Sequence, residues 1–319
     1  MRVGILLFLA TSLFVGSSHA GPRKCLYVSS YHVGYAWSDG IEAGFRQHIG
    51  TACELRLFYM DSKRHSSEKE IETAAKNAKS LIDEWKPDIV IVSDDNAAKF
   101  LVVPYLKNSD LPVVFSGLNW TVREYGFPTK NITGMVEVAP VTELIQNLRR
   151  TLPKATRGVF IGTTLISSEK NYQRIKKAAD LQQFTLEKFS PRSMDDWVTA
   201  YKKAQNYDFI YIDSQAGING WDDKRALETV KKNTKIFSIT YSGWMMPYTV
   251  FGMTKVPQEQ GEWAAKTAQA ILKGTSPEDI PIVPNILWDV QLNQELYDLV
   301  NVSLPKAILS KARKINITQ

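Results

Sequence analysis

Hydroxyl, carboxylate and aromatic side chains recur directly after the apolar runs that are typical of β-strands. Because ligands of open α/β sheets gather at the carboxyl ends of the strands, these side chains are candidates for one binding cleft. Aromatic rings offer flat apolar surface, and the carboxylates of Asp94, Asp95 and Asp213 can hold an ammonium or a ring N–H. The pattern therefore predicts a cleft for a polar, nitrogen-bearing solute with an aromatic or apolar part. The candidate ligand-binding residues are Ser30, Tyr31, His32, Tyr35, Trp37, Asp94, Asp95, Asn96, Ser116, Asn119, Trp120, Thr163, Thr164, Asp213, Ser214, Tyr241 and Trp244.

Some of these candidates have an equally good structural explanation. Asp95 or Asn96 could simply cap the helix that is expected to follow the third strand. Trp120 and Trp244 are harder to explain in this way, because each follows a strand in a turn-like context. These two rings are therefore expected to line the cleft.

Catalytic signatures are mostly missing from the sequence. It contains no Gly-x-Ser-x-Gly nucleophile elbow, no Walker loop and no Gly-x-Gly-x-x-Gly after the first strand. An enzyme that uses Ser29 or Ser30 with His32 is a further hypothesis, although adjacency in sequence is not triad geometry. None of the four histidines stands at i, i+4 from another or beside a cysteine, so neither a metal site nor a cofactor is expected. A binding protein is favoured over an enzyme.

The N-terminus has the pattern of a secretory signal peptide, residues 1–20. Met1-Arg2 is a short positive start, residues 3–15 form an almost uninterrupted apolar run, and small residues lead up to Ala20. The apolar run is too short to span a bilayer. Cleavage after Ala20 is expected, which would place the mature protein in the periplasm.

Length and charge indicate a two-domain globular protein. The chain has 319 residues, of which 44% are hydrophobic and 23% are charged, so disorder is a poor explanation. Such a length exceeds what one hydrophobic core usually serves. The formal net charge of +6 is spread over helix faces with acidic residues between the basic ones, which argues against nucleic-acid binding. A mostly monomeric protein is expected.

From Lys24 onward, short apolar runs alternate with longer amphipathic stretches, and the pattern restarts near Thr133. This alternation is typical of parallel sheets with helices on both faces. The sequence therefore predicts an α/β fold of two doubly wound parallel-sheet lobes joined by a multi-strand hinge. The expected first lobe comprises residues 21–135 plus about 283–319, the second comprises 136–282, and the hinge crossings are expected near 117–136, 241–250 and 280–290.

The chain has two cysteines. Cys25 opens the first predicted strand and Cys53 opens the second, and these strands are neighbours in a doubly wound sheet. In an oxidising compartment a Cys25–Cys53 disulfide is favoured over two free thiols.

Three stretches resemble a known family. They are Tyr31–Gly44 after the first strand, Lys86–Asp95, and Gly261–Pro281 with its Ile-Leu-Lys-Gly-x-x-Pro-x-Asp-Ile-Pro pattern. Together they resemble ABC-transporter substrate-binding proteins of the class I periplasmic binding fold, related to those described for tryptophan and tyrosine uptake. Similar modules form the extracytoplasmic sensor domains of histidine kinases, whose opening looks like Ser-Tyr-His-x-Gly-Tyr-x-Trp-Ser-Asp.

The resemblance implies a small solute clamped between two lobes and delivered to an ABC permease. It does not name the solute, because members that bind aromatic amino acids carry small residues where this chain has Asp94-Asp95-Asn96. The leading hypothesis is a periplasmic receptor for an amino-acid-like solute. The alternative is a soluble sensor that presents its closed form to a membrane histidine kinase or cyclase.

Overall fold

The computed structural model describes residues 21–316, apart from the side chains of 166 and 167. The expected signal peptide, residues 1–20, lies outside the described residues. Strands and helices alternate along the described chain and build two separate β-sheets. This arrangement confirms the predicted α/β class with two mostly parallel sheets.

Six strands form the first sheet, and all of its pairings are parallel. They are β1 (Lys24–Ser29), β2 (Glu54–Tyr59), β3 (Ile89–Ser93), β4 (Val113–Asn119), β5 (Ile132–Glu137) and β11 (Val283–Pro284). Their spatial order is β11-β5-β4-β3-β1-β2. Every residue of β3 is buried, which explains its uninterrupted apolar sequence.

Seven strands form the second sheet. They are β6 (Arg157–Ile161), β7 (Thr185–Phe189), β8 (Phe209–Ile212), β9 (Phe237–Thr240), β10 (Phe251–Lys255), β12 (Trp288–Asn293) and β13 (Arg313–Ile315). Their order is β13-β12-β10-β9-β8-β6-β7, and the β10–β12 pair is antiparallel whereas the other pairs are parallel.

The helices cover these sheets. They are α1 (Ala36–Ile49), α2 (Glu68–Trp85), α3 (Asp95–Ala97), α4 (Val141–Thr151), α5 (Ile166–Leu181), α6 (Met194–Ala204), α7 (Asp223–Asn233), α8 (Pro257–Leu272), α9 (Gln294–Tyr297) and α10 (Lys306–Leu309). A π-helix, Ala98–Leu106, continues α3; a helix was expected here, but its π form was not. Capping boxes at Ser67 and Ser193 fix the starts of α2 and α6. Within residues 21–316, no helix has the length and apolar character needed to cross a bilayer.

Three segments cross between the two sheets: 138–140 after β5, Val256 after β10, and 285–287 after β11. The third lies within the expected crossing near 280–290. The other two differ from the expected crossings, because 117–136 joins two strands of the first sheet and 241–250 joins two strands of the second.

The C-terminal part of the chain is divided between the sheets differently from the expected 283–319 assignment. Helix α8 packs on the first sheet, where Ala264, Ala265 and Ala268 share a core with Tyr27 and Ile41. Strands β12 and β13 belong to the second sheet, because β12 pairs antiparallel with β10 over residues 288–292. The helical and strand-like sequence patterns were recognisable, but they did not indicate which sheet each segment covers or extends.

Helices α1 and α8 approach so closely that glycine is required at their contact. A Cβ atom on Gly261 would collide with the Ile41 carbonyl oxygen and the Phe45 amide, and a Cβ on Gly44 would collide with the Gln258 carbonyl oxygen. Backbone atoms cannot move aside as a flexible side chain can. The contact therefore holds α8, which follows a crossing segment, firmly on the first sheet.

Gly261→Val is expected to lower the free energy of unfolding by about 3 kcal/mol, because the added methyl groups force α1 and α8 apart. Urea denaturation followed by circular dichroism measures this change. Ala43→Val, on the exposed side of α1, serves as the control and should cost well under about 1 kcal/mol. Equal stability of the two variants would contradict the close contact.

The two cysteines are joined, as predicted. Cys25 and Cys53 form a disulfide with 5.8 Å between their Cα atoms. Cys25 lies on β1, and Cys53 directly precedes β2, the parallel neighbour of β1. The bond ties the edge strand of the first sheet to its interior.

Candidate functional site

Both sheets carry candidate residues at the same topological position. Strand β1 lies between β2 and β3, and β6 lies between β7 and β8, so each sheet has a switch point where strand order reverses. Open α/β sheets bind ligands beside such a point. Asp94 follows β3 in the first sheet, and Thr163 and Asp213 follow β6 and β8 in the second.

Asp94 is buried, and both of its carboxylate oxygens accept hydrogen bonds. Trp37 Nε1–H donates to Oδ1 at 3.1 Å, and Ser38 Oγ–H donates to Oδ2 at 3.0 Å. Burial raises the pKa of Asp94 to about 7, against the effect of the Ser38 hydrogen bond. Its φ of +67° is unusual for a residue other than glycine. The carboxyl group is therefore held in one orientation and titrates near neutrality.

Lys255, which was not among the predicted residues, lies near enough to Asp94 for the two charges to interact. Its ammonium pairs with the buried Glu137 carboxylate and lies 4.8 Å from the centroid of the Trp37 ring. Burial lowers the pKa of Lys255 to about 8, and the Asp94 charge opposes this shift. Because Glu137 ends β5 and Lys255 ends β10, the ion pair joins two of the three crossing segments.

Ser30 and Asn96 form internal hydrogen bonds of the first lobe. Ser30 Oγ–H donates to the Ser93 carbonyl at 2.6 Å and accepts from the Ala97 amide at 2.8 Å. Asn96 Nδ2–H donates to Ser62 Oγ at 2.8 Å, and Ser62 Oγ–H donates to the Ser30 carbonyl at 2.6 Å. Both side chains thus have protein partners and fix the loops after β1 and β2.

Asp95 is brought together with Asn119. Asn119 Nδ2–H donates to Asp95 Oδ2 at 2.6 Å, and Tyr125 O–H donates to Oδ1 at 2.7 Å. Ser116 is buried on β4 near the Val92 carbonyl. These contacts connect the loops after β3 and β4 within one lobe.

Tyr31 and Tyr35 form an aromatic pair after β1. Their ring centroids are 5.1 Å apart in an edge-to-face arrangement. The Lys63 ammonium lies 4.3 Å from the Tyr31 centroid and 4.6 Å from the Tyr35 centroid. The pair presents an aromatic surface that already attracts a cation.

His32 lies near the same pair, with its ring centroid 6.2 Å from that of Tyr35. Its Nδ1 is 3.4 Å from Asp61 Oδ1. Ser29 Oγ accepts a hydrogen bond from the Tyr31 amide. No hydrogen bond among the described residues joins His32 to Ser29 or Ser30, so the serine–histidine pair of the alternative enzyme hypothesis is not formed here.

In the second lobe, Asp213 is buried with one oxygen bonded and one without a regular hydrogen bond. Asn171 Nδ2–H donates to Oδ1 at 2.9 Å, whereas Oδ2 has no hydrogen bond of regular geometry among the described residues, although the Ser168 hydroxyl lies near enough to lower the pKa of the carboxyl. Burial raises the pKa of Asp213 to about 6, and the neighbouring Ser168 and Asn171 side chains oppose this shift. A buried carboxylate oxygen without a donor is energetically costly and is suited to accept hydrogen bonds from a ligand.

Two further polar atoms at the ends of β6 and β8 are buried without a described partner, Thr163 Oγ1 and Gln215 Oε1, and the buried Tyr211 side chain interacts with that of Tyr241. Thr163 ends up beside Asp213 because β6 and β8 are neighbouring parallel strands. Tyr241 follows β9, and its ring lies 5.9 Å from that of Tyr211. Buried polar atoms without a described hydrogen-bond partner therefore lie at the carboxyl ends of β6 and β8.

Trp120 contacts the opposite lobe, as Trp37 does through Lys255. It follows β4 in the first lobe, and its ring centroid lies 4.1 Å from Cζ of Arg174 on α5 in the second. Its amide donates to the Glu137 carbonyl at 2.9 Å, directly before the first crossing segment. Arg174 was not predicted, because it lies in the middle of a helix and does not follow a strand.

Three candidates are not brought into these clusters. Thr164 is exposed, and Ser214 Oγ accepts from the Ala216 amide within its own turn. Trp244 is 56% exposed at the start of a short 3₁₀ helix, Gly243–Tyr248. The cleft position expected for Trp244 is therefore not supported by any described contact.

Lys63 and Lys255 could have been found from sequence. Both follow or end a strand, since Lys63 comes after β2 and Lys255 is the last residue of β10. Applying the strand-end rule to these two strands would have added both. As for metals, residues 21–316 contain no group of three or more His, Cys, Asp or Glu side chains placed to hold an ion.

Solved structures share this fold at low sequence identity. The ABC domain of Streptococcus pneumonia in complex with L-Trp is 14% identical, with a TM-score of 0.65 over 92% of this chain and 99% of that one. A ligand-free, open substrate-binding protein with adhesive properties from Clostridium difficile is 15% identical, with a TM-score of 0.75 and the same shares covered. An ABC-transporter substrate-binding protein of Desulfitobacterium hafniense in complex with Leu is 12% identical, with a TM-score of 0.55 over 80% of this chain and 85% of that one.

Sequence comparison adds the family. No curated relative matches the chain. The family model for ABC transporter substrate-binding proteins matches residues 55–316, which include most of both sheets and all three crossing segments. The chain therefore belongs to the family of ABC transporter substrate-binding proteins.

Proposed function

We propose that this protein is a periplasmic receptor that captures a small nitrogen-bearing, amino-acid-like solute between its lobes for an ABC importer. The observation that carries the proposal is the buried Asp213 carboxylate, whose Oδ2 has no hydrogen bond of regular geometry among the described residues. The Thr163 hydroxyl, which follows the neighbouring strand β6, is likewise buried without a described partner. An N–H group of a solute would supply the missing hydrogen bonds.

Energetics favour this assignment over a purely structural role. Leaving a buried acceptor unpaired costs on the order of 1–3 kcal/mol, and more when it is charged. Several such groups at the ends of β6 and β8 are therefore better explained by a ligand that supplies their hydrogen-bond partners than by a structural role. We propose that the aromatic rings of Tyr31, Tyr35 and Trp120 cover an apolar part of the solute.

Closure would come from hinge bending at the three crossing segments. The segments are tied to one another, since Asn285 Oδ1 accepts from the Val138 amide at 2.7 Å and Lys255 pairs with Glu137. Short crossings of this kind allow two rigid lobes to rotate. A solute that contacts both lobes in the closed form alone shifts the population toward it.

The solute can be identified directly from the purified protein. Native mass spectrometry should reveal a small molecule that co-purifies with it. A thermal-shift panel of amino acids, nucleobases, sugars and polyamines should then give a concentration-dependent rise in melting temperature. Small-angle scattering should show a smaller radius of gyration with the stabilising solute. A full panel without any stabilisation or compaction would refute capture between the lobes.

A soluble sensor is the second candidate, favoured by the Ser30–Asp39 segment, which is similar to the opening of histidine-kinase sensor domains. The two functions differ in the membrane partner of the closed form. Solute-loaded protein should stimulate ATP hydrolysis by a reconstituted permease if it serves import. It should instead change kinase autophosphorylation if it serves signalling.

A further inference from the structure

A contact between Trp120 and Arg174 joins the two lobes outside the three crossing segments. Trp120 follows β4 in the first lobe, and Cζ of Arg174, on α5 in the second lobe, lies 4.1 Å from the centroid of the Trp120 ring. The Trp120 ring also packs against the hydrophobic core of the second lobe. The backbone of Trp120 therefore belongs to the first lobe, whereas its side chain belongs to the interface between the lobes.

The turn after β4 holds the Trp120 ring in one orientation. Its φ of +63° lies in the left-handed region, which large side chains rarely adopt. Two hydrogen bonds fix the turn, since the Trp120 amide donates to the Glu137 carbonyl at 2.9 Å and the Thr121 amide donates to the Asn119 carbonyl at 2.7 Å. Backbone strain of this kind persists only where surrounding contacts over-determine the conformation. The turn thus presents the ring to the second lobe.

The Arg174 guanidinium depends on this ring for its position. Among the described residues, no hydrogen bond or ion pair ties it to its own lobe. Arg149 in the same lobe is different, because it stacks on Phe184 and also donates to the Gln182 carbonyl. Burial lowers the pKa of Arg174, which indicates that its guanidinium is partly withdrawn from water, where a cation–π contact is stronger.

Lys255 also contacts both lobes, but at the pivot. It ends β10 directly before the crossing at Val256, and its partner Glu137 ends β5 directly before the crossing at 138–140. Groups next to the crossing segments move little when two lobes rotate about them. Helix α5, which carries Arg174, is not adjacent in sequence to any crossing. Rotation of the lobes therefore changes the Trp120–Arg174 distance more than the Lys255–Glu137 distance.

We propose that Trp120 and Arg174 form a latch that limits how far the two lobes separate. The stack must break before Arg174 can move away from the ring, so the contact disfavours wide opening. By keeping the lobes near each other, the latch increases the fraction of molecules ready to close on a solute, and so the apparent affinity. Both side chains act as positioning residues in this role. The proposal goes beyond the proposed function, because it concerns the protein without solute.

The separation of the lobes in solute-free protein tests the latch. Nitroxide labels attached at Glu72→Cys on α2 and Lys202→Cys on α6 report this separation by double electron–electron resonance. Both positions are exposed, and the disulfide between Cys25 and Cys53 keeps these two sulfurs from taking up label. The wild type with these labels gives the reference distribution of distances.

Two variants remove the latch in different ways. Trp120→Asn removes the ring and suits the positive φ, and Arg174→Met keeps the aliphatic stem without the guanidinium. Each should shift the distances to longer values and broaden their distribution. Because Arg174 is only partly buried, its variant remains informative if Trp120→Asn does not fold, which unfolding midpoints show. An unchanged distribution in folded Arg174→Met would overturn the latch.

A double variant and a matched control separate the latch from general effects. Trp120→Asn with Arg174→Met should shift the distances no further than Trp120→Asn alone, since both changes remove one contact. Additive shifts would contradict a shared contact. Arg56→Met is the control, because Arg56 stacks on Trp85 within the first lobe, with Cζ 4.5 Å from the ring centroid. It should leave the distances as in wild type.

Titration links the latch to affinity. With a compound that stabilises the protein in the thermal-shift panel, Arg174→Met should reach the same short distance as wild type, but at about fivefold higher concentration. Saturation of both proteins at the same concentration would refute the effect on affinity. If no compound in the panel stabilises the protein, the proposed function fails, and the solute-free distances still decide whether the latch exists.

Discussion

Asp94→Asn should remove most of the pH dependence of stability and make the protein more stable at pH 8. The pKa of Asp94 is about 7 in the folded protein and 3.8 in the absence of the fold. Folding therefore favours the protonated carboxyl. The protonated Asp94 carboxyl therefore contributes to the free energy of unfolding. This contribution is fully present below about pH 4, declines as the pH rises and is lost above about pH 7, a change of up to about 4 kcal/mol.

Asparagine suits this position for two reasons. It is nearly isosteric with the protonated carboxyl and can keep hydrogen bonds to Trp37 and Ser38. It also tolerates the positive φ of residue 94 better than most side chains. Asp95, Lys63 and Lys255 face the same carboxyl, and their charges change the magnitude but not the direction of the effect.

Urea denaturation of wild type and Asp94→Asn at several pH values between 4.5 and 8 measures the difference. A shallower slope should remain in the variant, because burial also raises the pKa of Asp213, to about 6. Asp110→Asn is the control, since that side chain is fully exposed on the surface. Parallel pH profiles for wild type and Asp94→Asn would show that Asp94 is not the titrating group.

Loss of the Cys25–Cys53 bond is expected to lower the free energy of unfolding by about 3.5 kcal/mol. The bond closes a loop with a sequence separation of 28, and opening it restores that conformational freedom to the unfolded chain. Cys25 is fully buried, so alanine is the better replacement than serine, whose hydroxyl would lack a partner. The variant is therefore Cys25→Ala with Cys53→Ala.

Scanning calorimetry of the oxidised wild type and the double variant should show the variant melting about 5 °C lower or more. A reducing agent should lower the melting temperature of the wild type to nearly that of the variant. The same agent should leave the variant unchanged, which controls for effects other than disulfide reduction. Identical melting of oxidised and reduced wild type would refute the stabilising role of the bond.

Local sequence signals were sufficient for most elements of the fold. Continuous apolar runs such as Ile89–Ser93 predicted buried parallel strands, and capping residues such as Ser67 marked helix starts. These signals are local, because the period of side-chain burial and the needs of a helix terminus depend on neighbouring residues. A helix was expected after the third strand, but the sequence did not indicate its π form at Ala98–Leu106.

The sequence by itself determined the two-sheet α/β architecture, the cysteine pairing and the strand-end positions of Asp94, Thr163 and Asp213. All of these follow from strand order and from the parallel direction of the strands. Family resemblance added the substrate-binding role, which the match over residues 55–316 supports.

Only the tertiary structure decided which segments belong to which sheet and which charges lack partners. The placement of α8 on the first sheet depends on a close helix contact through Gly44 and Gly261, which no local pattern reveals. Arg174 and Lys255 acquire their surroundings from residues more than fifty positions away in the sequence. Whether a charge is paired or free depends on these long-range contacts, because a hydrogen bond requires an atom within about 3 Å whatever its distance along the chain.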